Sequence, residues 1–498
     1  MSARNSRRPA IAACGGVLLC LLSGCAVGPD FLRPKAPAVS HYSTGADPTA
    51  TGAAGGVAQR FTPGAKIAAQ WWRLFASKKL DAVIAEATET NPGLAAAQAS
   101  LRQSQDTLRS GYGIFYPQIE ADAGATRQRY TSVKVGQVSP PTIFNLFTLS
   151  ATVSYALDIF GGERRQVEGL GAEVDLAGAT EQATYLTLTA NIANTVIAEA
   201  AYRAEIDATQ QLIDLQREQV KLAEDQARAG TVPYSSVLSL QSALASYEAT
   251  IPPLQQKLTQ SEDLLAALAG HVPAEWHPLE VNLTDLTLPS DLPVSLPSDL
   301  VRQRPDVLAA EATAHAASAN IGVATAALLP SVTLSGSFGV NNTSTSTLFS
   351  SNGQFWSFGA NATQPLFEGG TLWFRRKAAI DSYQQAMALY RQTVLGAFEQ
   401  VADTLRALDH DAAALKAEDE ALATAEQALH LVQANYAAGL ATYLDVLTAD
   451  TQYYQAKIGD LQAIAVRYQD TVALFTALGG GWWNGTREDV SAKGTKID

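Results

Sequence analysis

Arg304–Gly370 reads RPDVLAAEATAHAASANIGVATAALLPSVTLSGSFGVNNTSTSTLFSSNGQFWSFGANATQPLFEGG. It holds a helical run that stops at Pro330, two runs of strict alternation (VTLSGSFGV and QFWSFGANATQPL), and then Glu368-Gly369-Gly370 opening a long Ala/Gln-rich helix. The period changes from 3.6 to 2 and back, which predicts helix, β-hairpin and helix in succession. The same succession occurs earlier, from Asn91 to Gly162: Pro92, Pro117 and the strand from Gln118 recur 213 positions later as Pro305, Pro330 and Ser331. A second match pairs AGTVPYSSVL (Ala229–Leu238) with AGLATYLDVL (Ala438–Leu447). The chain is one duplicated helix–hairpin–helix unit, with a repeat far too long for a solenoid.

In the first hairpin, Ile119, Ala121, Ala123 and Ala125 alternate with Gln118, Glu120, Asp122, Thr126 and Gln128. After a polar loop (131–142), Phe147, Leu149, Ala151, Val153, Tyr155 and Leu157 alternate with Thr148, Ser150, Thr152, Ser154 and Asp158. In the second hairpin, Val332, Leu334, Phe338 and Val340 oppose Thr333, Ser335 and Ser337, while Trp356, Phe358, Ala360 and Ala362 oppose Ser357, Asn361 and Thr363. Each run is close to the ~9–11 residues that span a bilayer as a tilted strand. A soluble sheet with one wet face alternates in the same way. Open strand edges are not tolerated in lipid and the smallest membrane barrels have about eight strands, so four strands require oligomerisation; three copies supply twelve.

After Gly161-Gly162 a proline-free helical pattern extends to about Ala229, and ~1.5 Å per residue makes it roughly 100 Å long. Tyr185, Leu188, Ile192 and Val196 step by three and four, and Leu212, Leu215 and Leu222 resume the seam. Ala229–Pro233 turns the chain, and a return helix to about Ala269 meets a kink or break at Pro252-Pro253. The second half repeats this with Gly369–Ala438, a turn at Gly439, and Tyr443 to about Leu478. Such slender hairpins must pack on each other and on neighbouring subunits. Gln70–Phe75 is predicted to begin a helix continuing through Leu80, Val83 and Ile84, and a second helix spans about Gly93–Phe115.

Arg4, Arg7 and Arg8 precede an apolar run, Ile11–Leu22, about half the length needed to cross a bilayer. Leu22-Ser23-Gly24-Cys25 resembles a bacterial lipobox, so residues 1–24 are expected to be a signal peptide and Cys25 to carry a lipid. Cys14, Cys20 and Cys25 are the only cysteines, which leaves the mature chain no intramolecular disulfide. The expected organisation continues with an extended lipidated segment (25–66), a first repeat (67–270), a Pro-rich connector lying across the outside (271–303), a second repeat (304–481) and a polar tail (482–498). The first repeat holds the β-hairpin 118–158 and the helical hairpin 161–270; the second holds the β-hairpin 331–366 and the helical hairpin 369–478.

Apolar residues make up 47% and charged residues 17%, and much of the apolar share is Ala, which suits closely packed helices with thin cores. The net charge is −13, from 35 basic and 48 acidic residues, a balance that argues against nucleic-acid binding. The six histidines (His41, His271, His277, His315, His410, His430) show no metal-ligand spacing, no G-x-S-x-G elbow or P-loop occurs, and catalysis is not expected. A purely structural periplasmic coiled-coil lipoprotein would explain the helices but not four lipid-length strands at matching places in both halves.

Several local signatures resemble those of the outer membrane factors, the TolC-like efflux channels, in their NodT/OprM-like lipoprotein branch. They are Cys25-Ala-Val-Gly-Pro-Asp30, Gln70-Trp71-Trp72 with Phe75, Leu296-Pro297-Ser-Asp-Leu300, Arg304-Pro305-Asp306-Val307 with Ala310-Glu311, Ile321-Gly322-Val323-Ala324, and Leu478-Gly479-Gly480-Gly481-Trp482. The resemblance implies a mixed α and β membrane protein, each protomer giving four transmembrane strands and long antiparallel helical hairpins. A homotrimer would then form a twelve-stranded β-barrel in the outer membrane and an α-barrel in the periplasm. It implies docking to a periplasmic adaptor and an inner-membrane pump, often of the resistance-nodulation-division class, with no cofactor beyond the lipid on Cys25. A duct serving type I secretion, or an ABC or major-facilitator exporter, is the alternative. The polar strand faces would line the lumen and the apolar ones meet lipid. The hairpin turns at Gly230 and Gly439 would face the adaptor, and Asp445 and Leu444 match positions of the periplasmic constriction. Thr448 stands where many relatives carry a second acid and Ala437 where a basic residue is common, so the closed-state bonds are expected to differ.

Overall fold

The computed structural model describes residues 26–131, 140–277 and 279–485. Its elements are β1 (Arg60–Pro63), α1 (Lys78–Thr90), α2 (Pro92–Gly111), β2 (Gln118–Tyr130), β3 (Thr142–Leu157), α3 (Gly162–Arg228), α4 (Tyr234–Glu248), α5 (Ile251–Leu268), β4 (Asp291–Val294), α6 (Pro297–Gln303), α7 (Pro305–Ala326), β5 (Ser331–Asn342), β6 (Gln354–Thr363), α8 (Thr371–Ala437) and α9 (Tyr443–Ala477). Both β-hairpins and both long helical hairpins thus form where the periodicity places them. The return arm of the first helical hairpin is divided at Ala249-Thr250, immediately before Pro252-Pro253.

The chain forms two compact units, each taking segments from both sequence halves. Of the described residues, one comprises those within 26–33, 101–176 and 310–390, and the other those within 34–100, 177–309 and 391–485. The first holds an antiparallel four-stranded sheet in the order β2-β3-β5-β6. Its register is what the alternation demands. Ile119 faces Val153, Val153 faces Gly336 and Gly336 faces Phe358; Ala121, Ala151, Phe338 and Trp356 form the next rung. The other face carries Glu120, Thr152, Ser337 and Ser357 on one rung and Gln118, Ser154, Ser335 and Gly359 on another. Successive residues point to opposite faces, so a slip of one position would mix the two sets. The packing against Ala314, Ala317 and Ala386, by Phe31, Tyr383 and Met387, is thin, as small residues allow.

The second unit has a better-filled core. Trp71 stacks on Phe475 with centroids 5.4 Å apart, and Phe75, Leu80, Ile84 and Leu474 are fully buried around them. The run from Gln70 is not one helix. Trp71–Phe75 is a short 3-10 turn, Ala76 takes a left-handed φ of 53°, and Ser77 then caps α1 by accepting from the Leu80 amide. Packing of the tryptophans decides this geometry; periodicity alone predicts a continuous helix. The connector also departs from a purely extended path: β4 pairs in parallel with β1, Arg60 opposite Asp291 through Pro63 opposite Val294, and α6 follows. Pro293 and Pro297 obscured both elements, yet a proline fits a two-stranded edge and the first turn of a helix. In α3, Leu188, Ile192, Val196 and Leu212 are buried as expected, but Leu222 is exposed and Val220 and Ala223 take the inward positions.

Arg467 is 1% exposed, and burying a guanidinium demands partners. It donates to Gln59 Oε1 at 3.2 Å, Ala54 O at 2.8 Å, Val57 O at 2.9 Å and Thr51 Oγ1 at 3.3 Å. The segment before β1 is therefore strapped onto α9. Arg304 does similar work: it donates to Ala477 O at 2.7 Å at the end of α9, to Gln400 Oε1 at 2.8 Å on α8, and to Asp306. The Arg-Pro-Asp motif is thus a clamp on the last turn of α9, where a cation suits the free carbonyls.

Candidate functional site

Two places stand out: the faces of the four-stranded sheet and the turns of the helical hairpins. On the sheet, hydroxyl and amide side chains gather on one face. Ser337 and Ser357 hydroxyls meet across β5 and β6 at 2.7 Å, and Asn361 donates to Thr363 at 3.0 Å on β6. The apolar face offers Phe338, Trp356 and Phe358 outward, Trp356 being 78% exposed. Among the described residues β2 and β6 are both edges, each with a strand neighbour on one side only. An open edge and an exposed apolar face are together unstable in water or lipid, so the sheet is a fragment of a closed one.

Both hairpin turns end their leading helix in the same way. Gly230 has φ 72°; its amide donates to Ala227 O, and the Thr231 amide reaches back to Gln226 O at 3.0 Å. Gly439 has φ 74°; its amide donates to Tyr436 O, and the Leu440 amide reaches Asn435 O at 2.8 Å. This six-to-one closure needs a left-handed residue, for which glycine has no steric penalty.

The two turns differ just beyond. Pro233 starts α4 with no side-chain cap, whereas Thr442 starts α9 with a reciprocal capping box. Asp445 Oδ2 accepts from the Thr442 amide at 2.7 Å and from Thr442 Oγ1 at 2.6 Å. Those hydrogen bonds hold the Asp445 carboxyl below the usual carboxylate range, so it is ionised. Asp445 is exposed, and Leu444 beside it is 67% exposed. Thr448 spends its hydroxyl on Leu444 O at 2.8 Å, and Ala437 is the last residue of α8. Cys25 lies outside the described residues.

Sequence reading missed the tethers behind the turns. Tyr443 Oη donates to Gln219 Oε1 at 2.6 Å, while Gln219 Nε2 donates to Asp450 Oδ2 at 2.5 Å. One glutamine on α3 thereby holds two residues of α9. Gln226 Nε2 donates to Tyr436 Oη at 3.2 Å, joining α3 to α8, and Tyr436 and Tyr443 meet edge to face at 5.9 Å. Asp450 is 1% exposed, and burial raises its pKa while the Gln219 hydrogen bond opposes that rise. Val220, Ala223, Val237 and Leu240 form an apolar plug beside the tethers, with Tyr443 and Leu447 against it. The Thr442-x-x-Asp445 spacing was a readable signal for the capping box. Nothing local announces the Gln219–Asp450 pair, which is 231 positions apart.

A sheet with one lipid-compatible face and one hydroxyl-rich face, joined in one chain to long helical hairpins, defines a subunit of an outer-membrane channel. A family model described as Outer membrane efflux protein matches residues 83–271 and 296–480, and the chain belongs to that family. It is similar to the pyoverdine export outer membrane protein OpmQ of Pseudomonas putida, 29% identical over 418 residues, covering 83% of this chain and 88% of that protein. It is likewise similar to the cation efflux system protein CusC of Escherichia coli O157:H7, 26% identical over 468 residues, covering 93% and 96% of the two chains. Among solved structures it superimposes on the outer-membrane channel OprN with a TM-score of 0.83 at 26% identity, covering 92% of this chain and all of that one. The outer membrane protein VceC of Vibrio cholerae matches with a TM-score of 0.77 at 29% identity, covering 84% of this chain. The protein is an efflux channel of the outer membrane and not an enzyme.

Proposed function

We propose that three copies close their four-stranded sheets into one twelve-stranded barrel, and that the helical hairpins form the periplasmic conduit of a tripartite efflux system. The observation that carries this reading is the register of β2, β3, β5 and β6, which leaves an apolar outer face, a Ser/Thr/Asn inner face and two unpaired edges. An inner wall of hydroxyls and amides, with the carboxylates of Glu120 and Asp122 on β2, has little chemical preference beyond charge. Substrate choice then rests with an inner-membrane pump, of the resistance-nodulation-division type, joined through a periplasmic adaptor. Export of pyoverdine by one relative and efflux of cations by another accord with a permissive duct.

The turns at Gly230 and Gly439 face the adaptor in this reading, and Asp445 and Leu444 narrow the resting channel. Three Asp445 carboxylates around an axis favour cations and repel anions. The Gln219 and Gln226 tethers bias the closed arrangement, and adaptor binding shifts the population toward one in which they part. Cys25 carries the lipid that holds the protein at the outer membrane. Cross-linking in intact cells tests the assembly: a three-copy species that also captures the adaptor is expected, and a species of one copy would contradict it. Palmitate labelling tests the anchor, which Cys25→Ser is expected to abolish.

A further inference from the structure

The apolar face of the sheet ends abruptly. Along β3 it runs from Leu157 to Phe147, ten steps that at ~3.4 Å each and a tilt of ~40° rise about 25 Å, the height of the apolar band of a membrane barrel. Phe147 pairs with Ala125; the next rung on the same face is Arg127 opposite Asn145, followed by Arg129 opposite Ile143. On β5 and β6 the same face ends in Asn342 and Gln354. Arg127 and Arg129 are the only charged residues on that face of the four strands, and the only acids on the strands, Glu120 and Asp122, lie on the opposite face.

Both arginines are exposed, and the ion pairs among the described residues do not include them. In the sequence, residues 131–141 include Lys134 and no acid, and residues 343–353, between β5 and β6, include no charged residue. In a chain with 48 acids and 35 bases, the described strand residues at this end of the sheet carry positive charge only. A lipid-facing arginine costs ~2–4 kcal/mol at the bilayer midplane and close to nothing at the interface, so this height is where one is tolerated. Alternate positions on a strand put the Cα atoms of the two arginines about 7 Å apart along one face. Each is a planar fork of donors suited to phosphate oxygens.

We propose that Arg127 and Arg129 form a binding site for the phosphate groups of an anionic lipid in the outward leaflet of the membrane. The site rests on the reading of the sheet as a lipid-facing barrel wall. The partner is a lipid headgroup and not a soluble anion, because the guanidinium groups emerge at the rim of the apolar band.

The test reconstitutes the full-length protein and the double variant Arg127→Gln/Arg129→Gln in phosphatidylethanolamine vesicles doped with a diphosphorylated glucosamine lipid, or with the same lipid dephosphorylated. The lipid retained by the re-extracted protein is then quantified by mass spectrometry. Wild type is expected to retain the phosphorylated lipid at least threefold over the dephosphorylated one. The glutamine variant is expected to lose that preference, and Arg127→Lys/Arg129→Lys to keep only part of it, since an ammonium keeps the charge without the planar fork. Equal retention by wild type and the glutamine variant overturns the site, as does release of the lipid by an excess of inorganic phosphate. Insertion and conductance are recorded on the same samples. If both proteins insert and conduct alike but retain lipid equally, only the lipid site fails; if neither inserts, the channel reading fails.

Discussion

In the proposed reading Asp445 serves both a helix and a pore. Its carboxylate completes the capping box with Thr442 and is exposed beyond it. For Asp445→Ala the expected outcome is a leakier resting channel, seen as faster uptake of large antibiotics; unchanged uptake and conductance would contradict a gating role. Thr442→Ala removes the N-cap and is expected to cost about 1 kcal/mol locally. Because the Asp445 pKa is lowered on folding, its stabilisation is present above the ordinary carboxyl range and is lost as pH falls through the lowered value. Asp411 has the opposite sign. Burial, then the hydrogen bond and charge of Asp470, push it up from 3.8 to about 7, with Arg467 opposing. The folded chain keeps a proton there that the unfolded chain releases, so this contribution is fully present below about 3.8 and declines as pH rises through about 7. Asp411→Asn is expected to flatten the fall in thermal midpoint between those limits, and a fall as steep as wild type would refute the assignment. Neither the Asp411–Asp470 pair nor the buried Arg467 could be recognised from sequence, since each depends on partners dozens to hundreds of positions away.

The β-hairpins were readable as elements because two signals coincide in each: a proline ends the preceding helix, at Pro117 and Pro330, and strict alternation begins one residue later. Register followed from the same alternation. The four-residue strands β1 and β4 escaped because they have no periodicity of their own and exist only as a pair. The break at Ala76 escaped because apolar spacing continues across it while the tryptophans turn inward. A contrast of neighbours tests the two faces. Ser337 and Phe338 are adjacent on β5, one on the hydroxyl face and the other on the aromatic face. Phe338→Lys places a charge in lipid and is expected to cost ~2–4 kcal/mol of membrane stability, whereas Ser337→Lys leaves insertion intact and alters ion selectivity. Equal stability of the two variants in a urea-unfolding titration would contradict the assignment of the faces, and a reversed order would mean that they are the wrong way round.

For the whole molecule, one chain states the need for closure but cannot provide it. Its sheet has two free edges, and each compact unit draws on both sequence halves, so the duplication is visible in sequence while the units are not. The acidic balance and the permissive inner wall carry no signature of a cargo, which is why partners enter through family membership and not through a site. The most direct measurement is single-channel recording from the purified full-length protein in planar bilayers, alongside electrophoresis of unheated and heated samples. Discrete conductance steps from a heat-dissociable species of three copies are expected. A water-soluble single copy that gives no conductance would contradict the shared barrel on which the account stands.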